Sequence, residues 1–148
     1  MMSRAKFLRA SFGAAALAAS LLPFAARAEM MEFGASLNGA SEVPPKGIKG
    51  TGELKATLDT ATKTLNWTLT WSGLSGPATM AHFHGPAAAG ANAGVAVPIK
   101  GTTSPDKGSA TLTDAQIADL EAGKWYVNVH TKANPGGEIR GQVTMKGM

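Results

Sequence analysis

The amino-acid sequence predicts an all-β protein, an antiparallel Greek-key-like β-sandwich or small barrel that carries one short helix. Three observations lead there. Apolar residues recur at every second position in short runs between Met31 and Met145, the period of a strand with one buried face. Clusters of Gly, Pro, Asn and Ser interrupt those runs at short intervals, as turns do between the strands of a sandwich or barrel. One stretch, Thr113-Asp114-Ala115-Gln116, has the signature of a helix start.

The first run places Met31, Phe33, Ala35 and Leu37 against Glu32, Gly34 and Ser36, and Asn38-Gly39 stops it. Glu42-Val43-Pro44-Pro45 lacks two backbone donors and reads as an edge or crossover loop. Gly50 to Leu58 buries Leu54, Ala56 and Leu58; Asp59 to Lys63 turns the chain; Thr64 to Trp71 then buries Leu65, Trp67, Leu69 and Trp71. That pair is the clearest hairpin in the sequence. Ser72 to Pro77 leads into Met80-Ala81-His82-Phe83-His84, which Gly85-Pro86 ends, and Ala87 to Gly94 is a small-residue loop with little to pack. Val95, Val97 and Ile99 form a short strand that Pro98 confines to a sheet edge. Gly101 to Gly108 reads as a loop, and Ser109 to Leu112 as a short extended segment.

In the helix, the Thr113 hydroxyl accepts from the Gln116 amide while the Gln116 side chain reaches back, and Gly123 supplies the stop. Ile117 and Leu120 give it one apolar stripe, and Asp114, Asp119 and Glu121 a solvated face. Trp125 to Thr131 and Glu138 to Met145 are the last two strands, joined through Asn134-Pro135-Gly136-Gly137. In the final strand Ile139, Val143 and Met145 face inward, leaving Glu138, Arg140 and Gln142 outward. Trp67, Trp71 and Trp125 fall at core positions rather than forming a carbohydrate platform.

The 148 residues, 44% of them apolar, suit one packed domain preceded by a different kind of segment. Arg4, Lys6 and Arg9, an alanine-rich apolar stretch from Ala10 to Ala25, and Ala26-Arg27-Ala28 together read as a secretory signal peptide over residues 1–28. Export to a periplasm or the cell exterior follows, with the domain spanning residues 29–148 and no stable membrane insertion after cleavage. Four of the 14 Lys and Arg lie in that segment and none of the 10 Asp and Glu do, so the remaining chain is balanced at ten charges of each sign. No basic block is left for nucleic acid or an anionic membrane. The chain has no cysteine, so it holds no disulfide and any metal must bind through His, carboxylate or Met.

The three histidines share one property. On a strand, His82 and His84 point the same way as Met80 and opposite Ala81 and Phe83; His130 points opposite Trp125, Val127 and Val129. If the two strands are neighbours, their imidazoles converge on a polar surface patch. Three imidazoles with an open position suit zinc or copper, and Met80 offers a thioether for copper(I). The alternative is structural: the rings hydrogen-bond loop carbonyls near Gly85-Pro86. Glu138 and Arg140, with Tyr126 and Asn128, are possible further ligands or supports of the site. For Glu138 and Arg140 the simpler reading is a surface ion pair.

The order Leu37-Asn38-Gly39, Glu42-Val43-Pro44-Pro45, Gly73-Leu74, Ala81-His82-Phe83-His84-Gly85-Pro86, Leu120 to Gly123, Tyr126-Val127-Asn128-Val129-His130-Thr131 and Pro135-Gly136-Gly137-Glu138-Ile139-Arg140-Gly141-Gln142 resembles the CHRD domain, the module repeated in chordin and found alone in exported bacterial proteins. The resemblance implies an extracellular setting and no particular reaction. Gly73-Leu74 with His82-Phe83-His84 is also similar to the strand bearing two copper ligands in copper/zinc superoxide dismutases. The chain lacks that family's zinc subloop, cysteine pair and fourth copper-site histidine, so this likeness implies a sandwich and a metal-site position rather than dismutase activity. Three functions remain open: an exported copper- or zinc-binding protein, an extracellular module that binds a protein or matrix partner, and a copper-dependent redox enzyme. No Ser/His/Asp set, paired carboxylates or phosphate-binding loop points to an enzyme of another class.

Overall fold

The computed structural model describes residues 28–147. The signal-peptide segment lies almost wholly outside the described residues. Eight strands form one sheet: β1 (Met30–Asn38), β2 (Thr51–Asp59), β3 (Thr64–Ser72), β4 (Ala78–His84), β5 (Val95–Ile99), β6 (Asp106–Thr111), β7 (Trp125–Thr131) and β8 (Ile139–Met145). Their order across it is β5-β4-β7-β8-β1-β2-β3-β6, and every neighbouring pair is antiparallel. The sheet curls into a nearly closed barrel, which resolves the sandwich-or-barrel expectation in favour of the barrel. Curling brings Trp67 of β3 edge-on to Phe83 of β4, ring centroids 5.3 Å apart, although β7, β8, β1 and β2 lie between those strands in the ladder.

The alternating runs fill this interior. Phe33, Ala35 and Leu37 of β1, Leu54, Ala56 and Leu58 of β2, and Leu65, Trp67 and Leu69 of β3 are all buried. From the other half come Ala81, Phe83, Val97, Ile99, Trp125, Val127, Val129, Ile139 and Val143. Burying such side chains stabilises the fold by roughly 1.5–3 kcal/mol each, before conformational entropy is set against it. At the rim one inward assignment fails, where Met145 is exposed, while Trp71 packs against the core but is only half-buried.

β5 is an edge strand, as Pro98 requires, and β6 forms the other edge. β6 begins at Asp106 rather than at Ser109, and Trp67 explains why. Its indole N–H donates to Asp106 Oδ1 at 3.1 Å, and its ring lies where a Cβ on Gly108 would be, at 2.4 Å. Gly108, which reads as part of a loop, is thus the strand residue that leaves room for the ring. The helix α1 (Asp114–Glu121) has its capping box at Thr113 and Gln116, and Gly123 follows its end at φ +69°.

Candidate metal centre

β4 pairs with β7, so Met80 lies opposite His130 and His82 opposite Asn128. With Ala81, Phe83, Val127 and Val129 turned into the barrel, the alternate residues stand on its outer side. The three histidines come together there: one ring nitrogen of each lies within 4.8 Å of the others. His82 Nδ1 is 3.0 Å from His130 Nε2. The donor set is compatible with a metal ion. Donors bound tetrahedrally at about 2.0–2.1 Å stand about 3.3–3.4 Å apart, a spacing His82 Nδ1 and His130 Nε2 already approach, while a pair at the 4.8 Å limit would close by about 1.4 Å through side-chain rotation.

The site is not a surface patch. His130 is 5% exposed, Asn128 3% and Tyr126 3%, and all seven residues of β7 are buried. The cover is the stretch that reads as an unpacked loop. Ala93 N–H donates to the Tyr126 hydroxyl at 3.2 Å, and the hydroxyl donates back to Ala93 O at 3.3 Å. Gln142 Nε2 donates to Ala87 O at 3.0 Å. Arg140 Nη1 donates to Asn92 Oδ1 at 2.8 Å and Nη2 to Ala91 O. Loop 85–94 therefore packs mainly through its backbone, with the Asn92 side chain as the exception.

Hydrogen bonds assign the protons on two rings. A carbonyl oxygen only accepts, so His84 Nδ1, 3.0 Å from Ala93 O, carries a hydrogen, as does His130 Nδ1, 2.8 Å from Pro135 O. In the neutral rings both Nε2 atoms are then bare, and they point inward: His84 Nε2 lies 3.0 Å and His130 Nε2 2.9 Å from Asn128 Oδ1. Burial, followed by the charges of His130 and His84, pushes the pKa of His82 down. Burial does the same to His84, outweighing the hydrogen bonds with Ala93 and Asn128. Both rings are held toward the neutral form, which is the one that binds metal.

The supporting residues lie elsewhere than expected. Arg140 and Glu138 are buried, 2% and 0% exposed, and the expected surface ion pair between them is absent among the described residues. Arg140 lies over Tyr126, its guanidinium carbon 3.4 Å from the ring centroid, while the same ring stacks with His84 at 4.7 Å and 6°. Glu138 instead closes the turn after β7. It accepts from Ser75 N and Ser75 Oγ, both at 2.6 Å, from Asn134 Nδ2 at 3.1 Å, and from the Thr131 hydroxyl. Burial alone would raise its pKa; the bonds from Ser75, Thr131 and Asn134 prevail and lower it. Met80 stands opposite His130 on the histidine side and is 45% exposed.

Glu42 is the residue the sequence reading missed. Its carboxylate is 4% exposed, Oε1 has no hydrogen-bond partner, and burial raises its pKa against the pull of Arg140, the Val43 N–H, Lys46 and Asn128. It occupies the space above Gly137, whose φ is +127° and whose added Cβ would sit 2.3 Å from Oε1 and 2.7 Å from Asn128 Nδ2. The available signal was its place beside two prolines, in a segment that cannot pair as a central strand yet must cover something.

No curated protein and no solved structure matches the chain significantly. A family model described as the CHRD domain matches residues 33–143, which run from β1 to β8 and include all three histidines, Glu42, Asn128, Glu138 and Arg140. No described helix is long and apolar enough to cross a membrane. The match covers most of the sequence and the whole barrel apart from its rim: the chain belongs to the CHRD domain family.

Proposed function

We propose that this chain is an exported CHRD-domain protein that binds one transition-metal ion, copper or zinc, through His82, His84 and His130. The observation that carries this reading is the gathering of three ring nitrogens within 4.8 Å, with the Nδ1 hydrogens of His84 and His130 committed to carbonyls, so that bare Nε2 atoms converge. A cation resolves that arrangement, and imidazole suits copper(II) and zinc. His82 and His84 are only half-buried, which leaves an approach from solvent on the β4 side. Export is supported by the basic, alanine-rich and Ala26-Arg27-Ala28 segments.

Calorimetric titration of the chelator-treated protein with copper(II) and zinc(II) tests the site. One equivalent should bind, and His130→Ala and His82→Ala should each abolish it. Titrations without histidine-dependent heat would make the cluster a structural network and leave the domain an interaction module. Processing is checked apart from metal: N-terminal sequencing of the exported protein should begin at or near Glu29, and a sequence beginning at Met1 would refute it.

A further inference from the structure

Resting on that reading, we infer that Asn128 supplies a fourth, oxygen donor to the metal and that the buried Glu42 carboxylate is the positioning residue that aims it. Asn128 is 3% exposed, and its Oδ1 lies 2.9 Å from His130 Nε2 and 3.0 Å from His84 Nε2. Those two nitrogens have no hydrogen to give in the neutral rings, because Pro135 O and Ala93 O take the hydrogens on the other side. Three lone pairs therefore face one another. Turning the amide over would put Nδ2 against the rings as a donor and remove the conflict at once.

Glu42 opposes that turn. Asn128 Nδ2 faces the Glu42 carboxylate, which accepts and never donates when ionised, so the reversed amide would set Oδ1 against a buried carboxylate. Glu42 is itself fixed, 96% buried from solvent by the fold, in space that only a glycine at 137 leaves open. A buried anion with an unpartnered oxygen costs the fold stability, and holding the amide oxygen toward the histidines is the service that matches its position. The donor set is then three imidazoles and one amide oxygen. A hard oxygen favours zinc(II) and copper(II) and adds nothing for copper(I), which prefers sulfur and imidazole.

The test measures zinc(II), copper(II) and copper(I) affinities by chelator competition for the full chain and for Asn128→Ala and Glu42→Gln, with the copper(II) electron paramagnetic resonance spectrum of each. Asn128→Ala should lose tenfold or more in zinc(II) and copper(II) affinity, keep its copper(I) affinity within threefold, and shift the copper(II) spectrum. Glu42→Gln, whose neutral amide no longer forbids the turn, should lose divalent affinity in the same direction and by less. Should Asn128→Ala fail to fold, the side-chain carbonyl carbon resonance of Asn128 in the unmodified protein decides: it should move with zinc and saturate at one equivalent. Unmodified protein that binds no metal would defeat the three-histidine reading itself. Binding with unchanged divalent affinities and spectra in Asn128→Ala, or an Asn128 carbonyl indifferent to zinc, would defeat this inference and leave that reading standing.

Discussion

Glu138 shows how a single buried carboxylate is made tolerable. Four hydrogen bonds, two of them from Ser75 some sixty residues earlier in the chain, satisfy it and tie the β7–β8 turn to the start of the β4 connection. Glu138→Gln keeps the shape but replaces one acceptor with a donor, which faces the Ser75 N–H at the Oε1 position or three donors at the Oε2 position, and should cost about 1–3 kcal/mol in urea denaturation. Because its folded pKa lies below the ordinary 4.5, the unfolded chain takes up the proton first as pH falls. Its contribution is therefore complete above about pH 4.5 and is lost as pH drops toward the folded value, and the variant's acid limb should be flatter than that of the unmodified protein. Identical limbs would show that the carboxylate does not act this way. None of this was legible from Glu138 and Arg140 as a two-residue-spaced pair of opposite charges. Their spacing gave the shared side of the strand correctly, whereas what covers that side depends on loops distant in sequence.

At the level of the element, strands were legible and their cover was not. Period-2 runs mark β1, β2, β3, β4 and β7 because one side of each packs into the barrel and hydropathy registers the contrast. β7 breaks the inference from polar to exposed: Tyr126, Asn128 and His130 are polar and buried, since loop 85–94 lays carbonyls and amides over them. A loop made of Ala, Gly, Pro and Asn carries most of that capacity in its backbone, where side-chain patterns are silent. Tyr126→Phe removes the hydroxyl that exchanges two bonds with Ala93 while leaving the stack with His84 and Arg140. Losing about 1–1.4 kcal/mol of local stability should speed amide exchange at Ala93 about five- to tenfold, with the β1–β2 amides unaffected. Equal acceleration everywhere would mean that the loop does not open independently.

For the whole molecule, the histidine cluster sets a pH dependence. His82 and His84 have folded pKa values below the ordinary 6.5, so the unfolded chain binds protons there that the fold refuses. Stability of the metal-free protein should fall as pH drops from about 7 through 6.5 toward those lowered values, and His84→Gln should remove part of the slope. Zinc at one hundred times its dissociation constant should add about 2.7 kcal/mol at neutral pH and progressively less as protons compete. Thermal melts with and without zinc across that range check both statements. A slope that is independent of His84 would assign the titration to other groups.

The pairing of β1 with β8 has a consequence for how such a domain is strung into longer polypeptides. Phe33 lies opposite Met145, and Lys146 N–H donates to Glu32 O at 2.8 Å, so the incoming and outgoing chain run side by side at one rim. A host protein can thus accept the barrel as a cassette through a narrow gap, or tether copies in series by brief linkers, without prying strands apart. By the same geometry, joining the two ends and reopening the chain at the exposed turn near Ala61 and Thr62 would create a permuted protein whose imidazole cluster, on the opposite half of the sheet, is left as it was.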